Sequence, residues 1–280
     1  MKIFVSAYIN KNLGDDIFIS MLCDRYKKHT FLIDGNADYI KKDNLEFYYN
    51  KKNIFKKIIN KIKKIFTQGK KDYDTKYIKK CDAYVMIGGS LFIENKKNSK
   101  LKNFIDINIP YYILGINFGP YYTNNYYNKS RKFFKNASDV CFRDKESFKK
   151  FSDLNNVRYS PDIIFGYNIS KSNKNNNNKS VVISIIDCSN RFKNEIADNY
   201  EKQILKLIDI FLKSEYKITL MSFCKNEGDE VAINKIYNNI ISDKNNIEKY
   251  FYDGNYKEAI KILDNSEIIV GSRFHCCKRQ

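Results

Sequence analysis

Residues 83–90 read Ala-Tyr-Val-Met-Ile-Gly-Gly-Ser, a run of five apolar residues that ends in two glycines. A short apolar run without polar alternation is typical of a strand that is buried on both faces of a parallel sheet. The two glycines predict a tight turn in which the backbone can approach a ligand closely. The stretch therefore predicts an α/β fold in which functional residues follow the ends of strands.

The same alternation extends from residues 83–90 toward both ends of the chain. Apolar runs of strand length are separated by stretches in which apolar residues recur at helical spacing. Strands that alternate with helices predict parallel sheets with helices packed on both faces. The predicted strands are 3–7, 29–33, 83–87, 111–116, 139–142, 181–186, 217–222 and 268–270, and the predicted helices are 17–28, 200–212, 227–241 and 256–263.

A polar stretch at residues 168–180 divides this alternation into two halves. It contains four consecutive asparagines and offers almost nothing that a core could bury, which is typical of a linker between domains. The sequence therefore predicts an N-terminal Rossmann-like lobe at 1–167, a linker at 168–180 and a C-terminal Rossmann-like lobe at 181–280. Ligands of such lobes bind beyond the carboxyl ends of the strands, so we expect an active site in the cleft between them.

The chain is strongly basic, with a formal net charge of +18 over 280 residues. The charge is spread along the chain, which favours solvated lysine side chains over a nucleic-acid site. It is densest at residues 41–80, where fourteen lysines and four acids give a net charge of +10. Within that stretch, residues 53–66 predict a basic amphipathic helix. This helix either lies on an anionic membrane surface or packs its apolar stripe on the sheet.

Several classes of protein are disfavoured by what the sequence lacks. The seven cysteines include no Cys-x-x-Cys pair and there are two histidines, so no metal site is predicted. No run of about 18 apolar residues is present, so no membrane-spanning segment is predicted. Residues 1–8 read directly as a strand rather than as a signal peptide. We therefore expect a cytoplasmic protein with reduced thiols.

Glycines follow three of the predicted strands, in Asn12-Leu13-Gly14-Asp15, Gly88-Gly89-Ser90 and Gly115-Ile116-Asn117-Phe118-Gly119-Pro120. A glycine at a strand end followed by a helix N-terminus exposes backbone amides that favour an anion. The alternatives are a purely structural turn at the two glycines and a helix cap at Asp15 or Asp16. The Tyr- and Asn-rich residues 121–128 that follow the third motif predict a loop over the cleft.

Two arginines also lie at predicted strand ends. Arg143 precedes the helix-capping candidates Asp144 and Ser147, and its guanidinium is suited to bind a carboxylate or a phosphate. Arg273 follows the last predicted strand, and His275 lies two residues beyond it. An arginine and a histidine at one strand end provide a fixed cation beside a group that transfers protons near neutral pH.

The motifs form an ordered series. Asn-x-Gly-Asp, Gly-Gly-Ser, Gly-x-x-x-Gly-Pro, Arg-Asp-x-x-Ser, Ser-Pro-Asp and Ser-Arg-x-His follow one another between Asn12 and His275. Over essentially the whole chain this series resembles the polysaccharide pyruvyl transferase family. The resemblance implies two Rossmann-like parallel-sheet lobes, similar to the arrangement in GT-B glycosyltransferases.

The resemblance also implies a reaction. Members of the family move a pyruvyl unit from phosphoenolpyruvate to a sugar of a cell-surface polysaccharide or its nucleotide-linked or lipid-linked precursor, which forms a ketal. His275 would be the catalytic acid that protonates the methylene carbon of the donor. Phosphoenolpyruvate is a substrate here, and neither a metal nor a cofactor is implied. The residues expected to bind substrate are Arg143, Arg273, Asn12, Gly14, Asp15, Gly88, Gly89 and Ser90.

The end of the chain departs from the family pattern. Family members continue past Arg-x-His through further helices and a strand, whereas five residues follow His275 here. This predicts an incomplete second lobe, from a natural truncation or a frameshift, and leaves the activity of the chain open. Two other interpretations also stay open: a GT-B-like glycosyltransferase that uses a nucleotide sugar, and an inactive or basic-surface binding protein that contacts an anionic partner through residues 41–80.

Overall fold

A computed structural model describes most of the chain. The described residues are 1–35, 37–48, 78–94, 107–167, 179–189, 192–273 and 276. They fold as two compact units. The first unit comprises Met1–Tyr8 and Phe18–Phe165, and the second comprises Ile9–Ile17 and Gly166–Gln280. The short segment Ile9–Ile17, which directly follows the first strand, therefore belongs to the second unit, an assignment that the sequence pattern did not predict.

The first unit contains a parallel sheet of seven strands in the order β3-β2-β1-β4-β5-β6-β7. The order changes direction between β1 and β4, which is where the crevice for a ligand forms in sheets of this kind. The Gly-Gly turn directly follows β4 and so lies at that position. The strands are β1 Lys2–Ser6, β2 Thr30–Asp34, β3 Leu45–Tyr48, β4 Ala83–Ile87, β5 Tyr111–Ile116, β6 Asp139–Phe142 and β7 Val157–Tyr159.

The second unit contains a parallel sheet of four strands in the order β10-β9-β8-β11. Here the order changes direction between β8 and β11, the strand that Arg273 follows. The strands are β8 Ser180–Ser184, β9 Lys217–Met221, β10 Ile247–Tyr250 and β11 Ile268–Gly271. The helices among the described residues are α1 Leu13–Arg25, α2 Asn124–Lys135, α3 Lys145–Lys149, α4 Asn194–Lys213, α5 Asp229–Asn239 and α6 Tyr256–Asn265, with 3-10 turns at Ile163–Gly166 and Lys225–Glu227.

Each unit has its own hydrophobic core, and the two cores differ in composition. The first core is rich in aromatic rings that meet edge to face, as Phe118 and Phe151 do with ring centres 4.9 Å apart. The second core is mainly aliphatic. The helix α4 contributes to it through Ile204 and Ile208, which are four residues apart and therefore lie on one face.

The predicted α/β class with two Rossmann-like parallel sheets is confirmed by this structure. The predicted strands at 83–87, 111–116 and 139–142 coincide with β4, β5 and β6. Ser180, which the sequence pattern placed in the linker, is the first residue of β8.

The prediction of a loop at residues 121–128 is wrong, because most of this run belongs to α2. Thr123 caps the helix, and its side-chain oxygen accepts a hydrogen bond from the Tyr126 amide at 3.1 Å. Tyr126, Phe133 and Phe134 then recur at helical spacing and are buried in the aromatic core. This apolar periodicity outweighs the polar appearance of the run.

Two predicted features lie outside the described residues. They are the basic helix at 53–66 and residues 168–178, which make up most of the predicted linker. In the part of the chain that the structure describes, none of the helices combines the length and apolar character needed to cross a bilayer.

Candidate functional site

The turn after β4 brings the Gly-Gly pair against the end of β5. Gly88 has a φ of 140°, which favours glycine over residues with a side chain. The Gly89 carbonyl accepts hydrogen bonds from the amides of Leu91 at 3.1 Å and Asn117 at 2.9 Å. The two strand exits are therefore joined through one carbonyl, and Asn117 is brought beside the glycines.

Arg143 follows β6 and extends across the end of β5 to reach the Gly-Gly turn. Its Nη1 donates to Asp162 Oδ2 and its Nη2 donates to Asn117 Oδ1, both at 2.9 Å. A Cβ atom added to Gly89 would lie 2.3–2.4 Å from three atoms of the guanidinium group. Gly89 therefore provides the space that the Arg143 side chain occupies.

Asp162 fixes the orientation of the arginine. Its side chain is 1% exposed and that of Arg143 is 15% exposed. The second carboxylate oxygen of Asp162 accepts a hydrogen bond from the Ile164 amide at 2.9 Å, so the acid is held at both oxygens. Removal of one partner of such a pair leaves an uncompensated buried charge and costs about 3–5 kcal/mol. Asp162 therefore holds the guanidinium of Arg143 in one orientation, while part of the arginine side chain remains exposed to solvent.

The first unit thus gathers Gly88, Gly89, Ser90 and Arg143, all of which the sequence singled out. Ser90 joins them through its hydroxyl, which donates to Asn117 Oδ1 at 3.3 Å. Asn117 was not singled out as a site residue, although it lies inside the Gly-x-x-x-Gly-Pro motif. A planar guanidinium, a hydroxyl and a glycine backbone together suit an oxygen-rich anion.

Asn12, Gly14 and Asp15 lie in the second unit, in the segment that begins α1. Asn12 Oδ1 accepts a hydrogen bond from the Gly14 amide at 3.1 Å, so Asn12 is the residue that caps the helix start. The sequence had offered Asp15 or Asp16 for this role. Asp15 lies in the first helical turn, where a negative charge is favourable. Asp16 is fully buried and accepts a hydrogen bond from the Tyr252 hydroxyl at 2.7 Å.

Arg273 follows β11 and lies between two acids, Glu227 and Asp229. Its Nη1 pairs with Glu227 Oε2 and its Nη2 with Asp229 Oδ1. The arginine side chain is 12% exposed, Glu227 is 23% exposed and Asp229 is fully buried. Burial alone would lower the pKa of Arg273, but the hydrogen bonds and charges of Asp229 and Glu227 raise it above its usual value. The guanidinium is therefore charged near neutral pH.

The backbone around Arg273 is held by hydroxyl groups. Ser184 Oγ accepts from the amides of Ser272 at 2.8 Å and Arg273 at 3.3 Å. The Tyr200 hydroxyl lies 2.8 Å from Ser272 Oγ and accepts from the Ile186 amide at 3.3 Å. Burial raises the pKa of Tyr200. These contacts join the ends of β8 and β11. His275, the expected catalytic acid, lies outside the described residues together with Phe274.

Comparison with known protein families supplies the assignment. A family model described as "Polysaccharide pyruvyl transferase" matches residues 8–277. The chain belongs to the polysaccharide pyruvyl transferase family. The match covers both units, so it includes the Gly88–Ser90 turn, Arg143, Arg273 and His275. The expectation drawn from the ordered motifs is confirmed at the level of the family.

Comparison with solved structures found chains to which this pyruvyl transferase family member is similar in fold. An S. aureus MnaA–UDP co-structure has a TM-score of 0.54 and 10% identity, over 98% of this chain and 74% of the other. Acinetobacter baumannii MurG has a TM-score of 0.40 and 12% identity, over 96% and 70%. The wall teichoic acid polymerase TagF has a TM-score of 0.47 and 10% identity, over 96% and 64%. At these identities the likeness to MnaA concerns the fold alone. A comparison with curated protein sequences found no match.

Proposed function

We propose that the chain transfers a pyruvyl unit from phosphoenolpyruvate to two hydroxyl groups of a saccharide and thereby forms a ketal. The family match supports this assignment. The observation that carries it furthest is the guanidinium of Arg143, which Asp162 and Asn117 hold against the Gly-Gly turn. A charged planar donor that is fixed before substrate arrives is suited to a small donor with a phosphate and a carboxylate.

The proposed chemistry balances without a redox partner. Protonation of the methylene carbon of phosphoenolpyruvate makes C2 electrophilic, and one sugar hydroxyl adds there as it loses its proton. The bond from C2 to the phosphate oxygen then breaks, and a second sugar hydroxyl adds to C2 and loses its proton. The products are a methyl-bearing ketal and inorganic phosphate. Of the two hydroxyl protons, one replaces the proton given to the methylene carbon and the other leaves with phosphate or the medium.

The proposed residues divide the steps of this reaction among them. Arg143 and Arg273 bind the acidic groups of the donor and stabilise charge on the leaving phosphate. His275 supplies the proton to the methylene carbon, since an imidazole transfers protons near neutral pH. Asn12, Gly14, Asp15, Gly88, Gly89 and Ser90 are the proposed contacts to the saccharide or to an anionic group.

The proposed acceptor is a sugar of a cell-surface polysaccharide, presented on a nucleotide-linked or lipid-linked precursor in the cytoplasm. A lipid-linked acceptor fits the alternative in which residues 53–66 form a basic amphipathic helix at an anionic membrane surface. The proposed reaction requires no cofactor, because phosphoenolpyruvate is consumed as a substrate.

The experiment measures phosphate release from phosphoenolpyruvate in the presence of UDP-linked hexoses and N-acetylhexosamines. We expect release that depends on both substrates. Arg143→Lys should lower kcat/KM by about 100-fold, because lysine keeps the charge beside Asp162 but loses the bidentate fork.

Arg158→Lys is the matched control, because Arg158 pairs with Asp139 on the surface and its side chain is 53% exposed. This variant should behave as the parent chain does. Equal activity in Arg143→Lys and Arg158→Lys would exclude Arg143 from donor binding.

A further inference from the structure

Arg273 is connected to the Asn12–Asp16 turn through a continuous set of contacts inside the second unit. The turn at Asn12 pairs with Cys224 as an isolated antiparallel bridge, and the Leu13 amide donates to the Phe223 carbonyl at 3.0 Å. Phe223 and Cys224 form the exit of β9. Asp229 lies a few residues beyond them, at the first position of α5.

Asp229 uses its two carboxylate oxygens for different partners. Its Oδ2 accepts hydrogen bonds from the amides of Phe223 at 3.0 Å and Cys224 at 2.9 Å. Its Oδ1 pairs with Nη2 of Arg273. Asp229 is fully buried, so its two oxygens join the β9 exit and the Arg273 guanidinium away from bulk water.

We infer that Asp229 is a positioning residue that fixes the Arg273 guanidinium relative to the β9 exit and the Asn12–Asp16 turn. Asp229 does not touch the substrate. It acts through Arg273, because its carboxylate sets the orientation of the guanidinium group. The inference rests on the proposed function in one respect, namely that Arg273 binds phosphoenolpyruvate. Displacement of a binding group by about 1 Å costs on the order of 100-fold in efficiency, so a buried support of this kind matters for catalysis.

Two further contacts connect the Asn12–Asp16 turn to the exits of β9 and β10. The Tyr252 hydroxyl donates to Asp16 Oδ2 at 2.7 Å, and the Tyr252 amide donates to Ser222 Oγ at 3.0 Å. The exits of β9 and β10 therefore both bind the segment that follows β1. Asp229 is the member of this set that also pairs with the Arg273 guanidinium.

The test is a double-mutant cycle on phosphoenolpyruvate affinity, measured by calorimetric titration of the full chain. Asp229→Asn and Arg273→Lys should each weaken binding by about 10- to 100-fold. The affinity of the double variant should lie within about twofold of that of the single variant that binds less tightly. Asp209→Asn is the control, because Asp209 forms a surface pair with Lys213 and is 44% exposed. Multiplication of the two single effects, or unchanged binding in Asp229→Asn, would overturn the inference.

A second measurement separates this inference from the proposed function. The Cys224 thiol is fully buried, and burial raises its pKa to about 11. Asp229→Asn should increase alkylation of Cys224 by about tenfold, read by peptide mass spectrometry, whereas Arg273→Lys should leave it unchanged. If the parent chain does not bind phosphoenolpyruvate, the proposed function fails, and Cys224 alkylation alone decides whether Asp229 holds the β9 exit. Unchanged alkylation in Asp229→Asn would then refute the positioning role.

Discussion

The position of the Arg143 side chain depends on Gly89, because a residue with a Cβ atom would fill the space that the guanidinium occupies. The sequence identified both, because each follows an apolar strand and has the chemistry of a ligand contact. It did not identify the pairing of Arg143 with Asp162 and Asn117. These contacts arise because β4, β5, β6 and β7 lie side by side, and strand order is a long-range property that local sequence does not encode.

Gly89→Ala should weaken phosphoenolpyruvate binding by about 10- to 100-fold, because the new Cβ would lie 2.3–2.4 Å from the guanidinium and force it to move. Gly115→Ala is the matched control. Gly115 has a φ of 68° and its Cβ would meet Ile163 rather than Arg143, so this variant should lose about 1–3 kcal/mol of stability and retain binding. Parent-like affinity in Gly89→Ala, measured by calorimetric titration, would show that Arg143 is not needed in its observed place.

At the scale of whole elements, the interior strands were predictable, and so was the edge strand β11 at 268–270, but two other edge strands were not. The apolar runs at 83–87 and 111–116 coincide with β4 and β5, which lie in the middle of the first sheet. The sequence missed β3 and β10, each of which has four residues and lies at the edge of its sheet. Both missed strands are short and carry a charged residue, so they lack the continuous apolar run that marks an interior strand.

The helix α2 gives an element-scale prediction, because its start depends on one side chain. Thr123 accepts from the Tyr126 amide, and its own hydroxyl donates to Glu94 Oε1 at 2.6 Å. Thr123→Ala should therefore lower the free energy of unfolding by about 1 kcal/mol in a urea titration. Thr123→Ser retains the hydroxyl and should stay close to the parent chain. A stable Thr123→Ala would mean that the aromatic core alone determines where α2 begins.

At the scale of the whole molecule, the sequence predicted two Rossmann-like lobes, and the two parallel sheets bear this out. It did not predict that Ile9–Ile17 belongs to the second unit. This assignment depends on contacts such as the one between Asp16 and Tyr252, which are 236 residues apart in sequence. A pattern read along the chain carries no information about a partner at that separation. His275 was predicted from its position beside Arg273 and remains a prediction.

The transfer of carbon from donor to acceptor distinguishes a pyruvyl transferase from a glycosyltransferase. The chain is incubated with phosphoenolpyruvate labelled with ¹³C at C2 and with the panel of UDP-linked sugars, and the sugars are then examined by NMR. We expect the label to appear as a ketal carbon in one sugar, with one phosphate released for each ketal formed. Cleavage of a UDP-linked sugar with all of the label left in phosphoenolpyruvate would contradict this expectation and would indicate a glycosyltransferase.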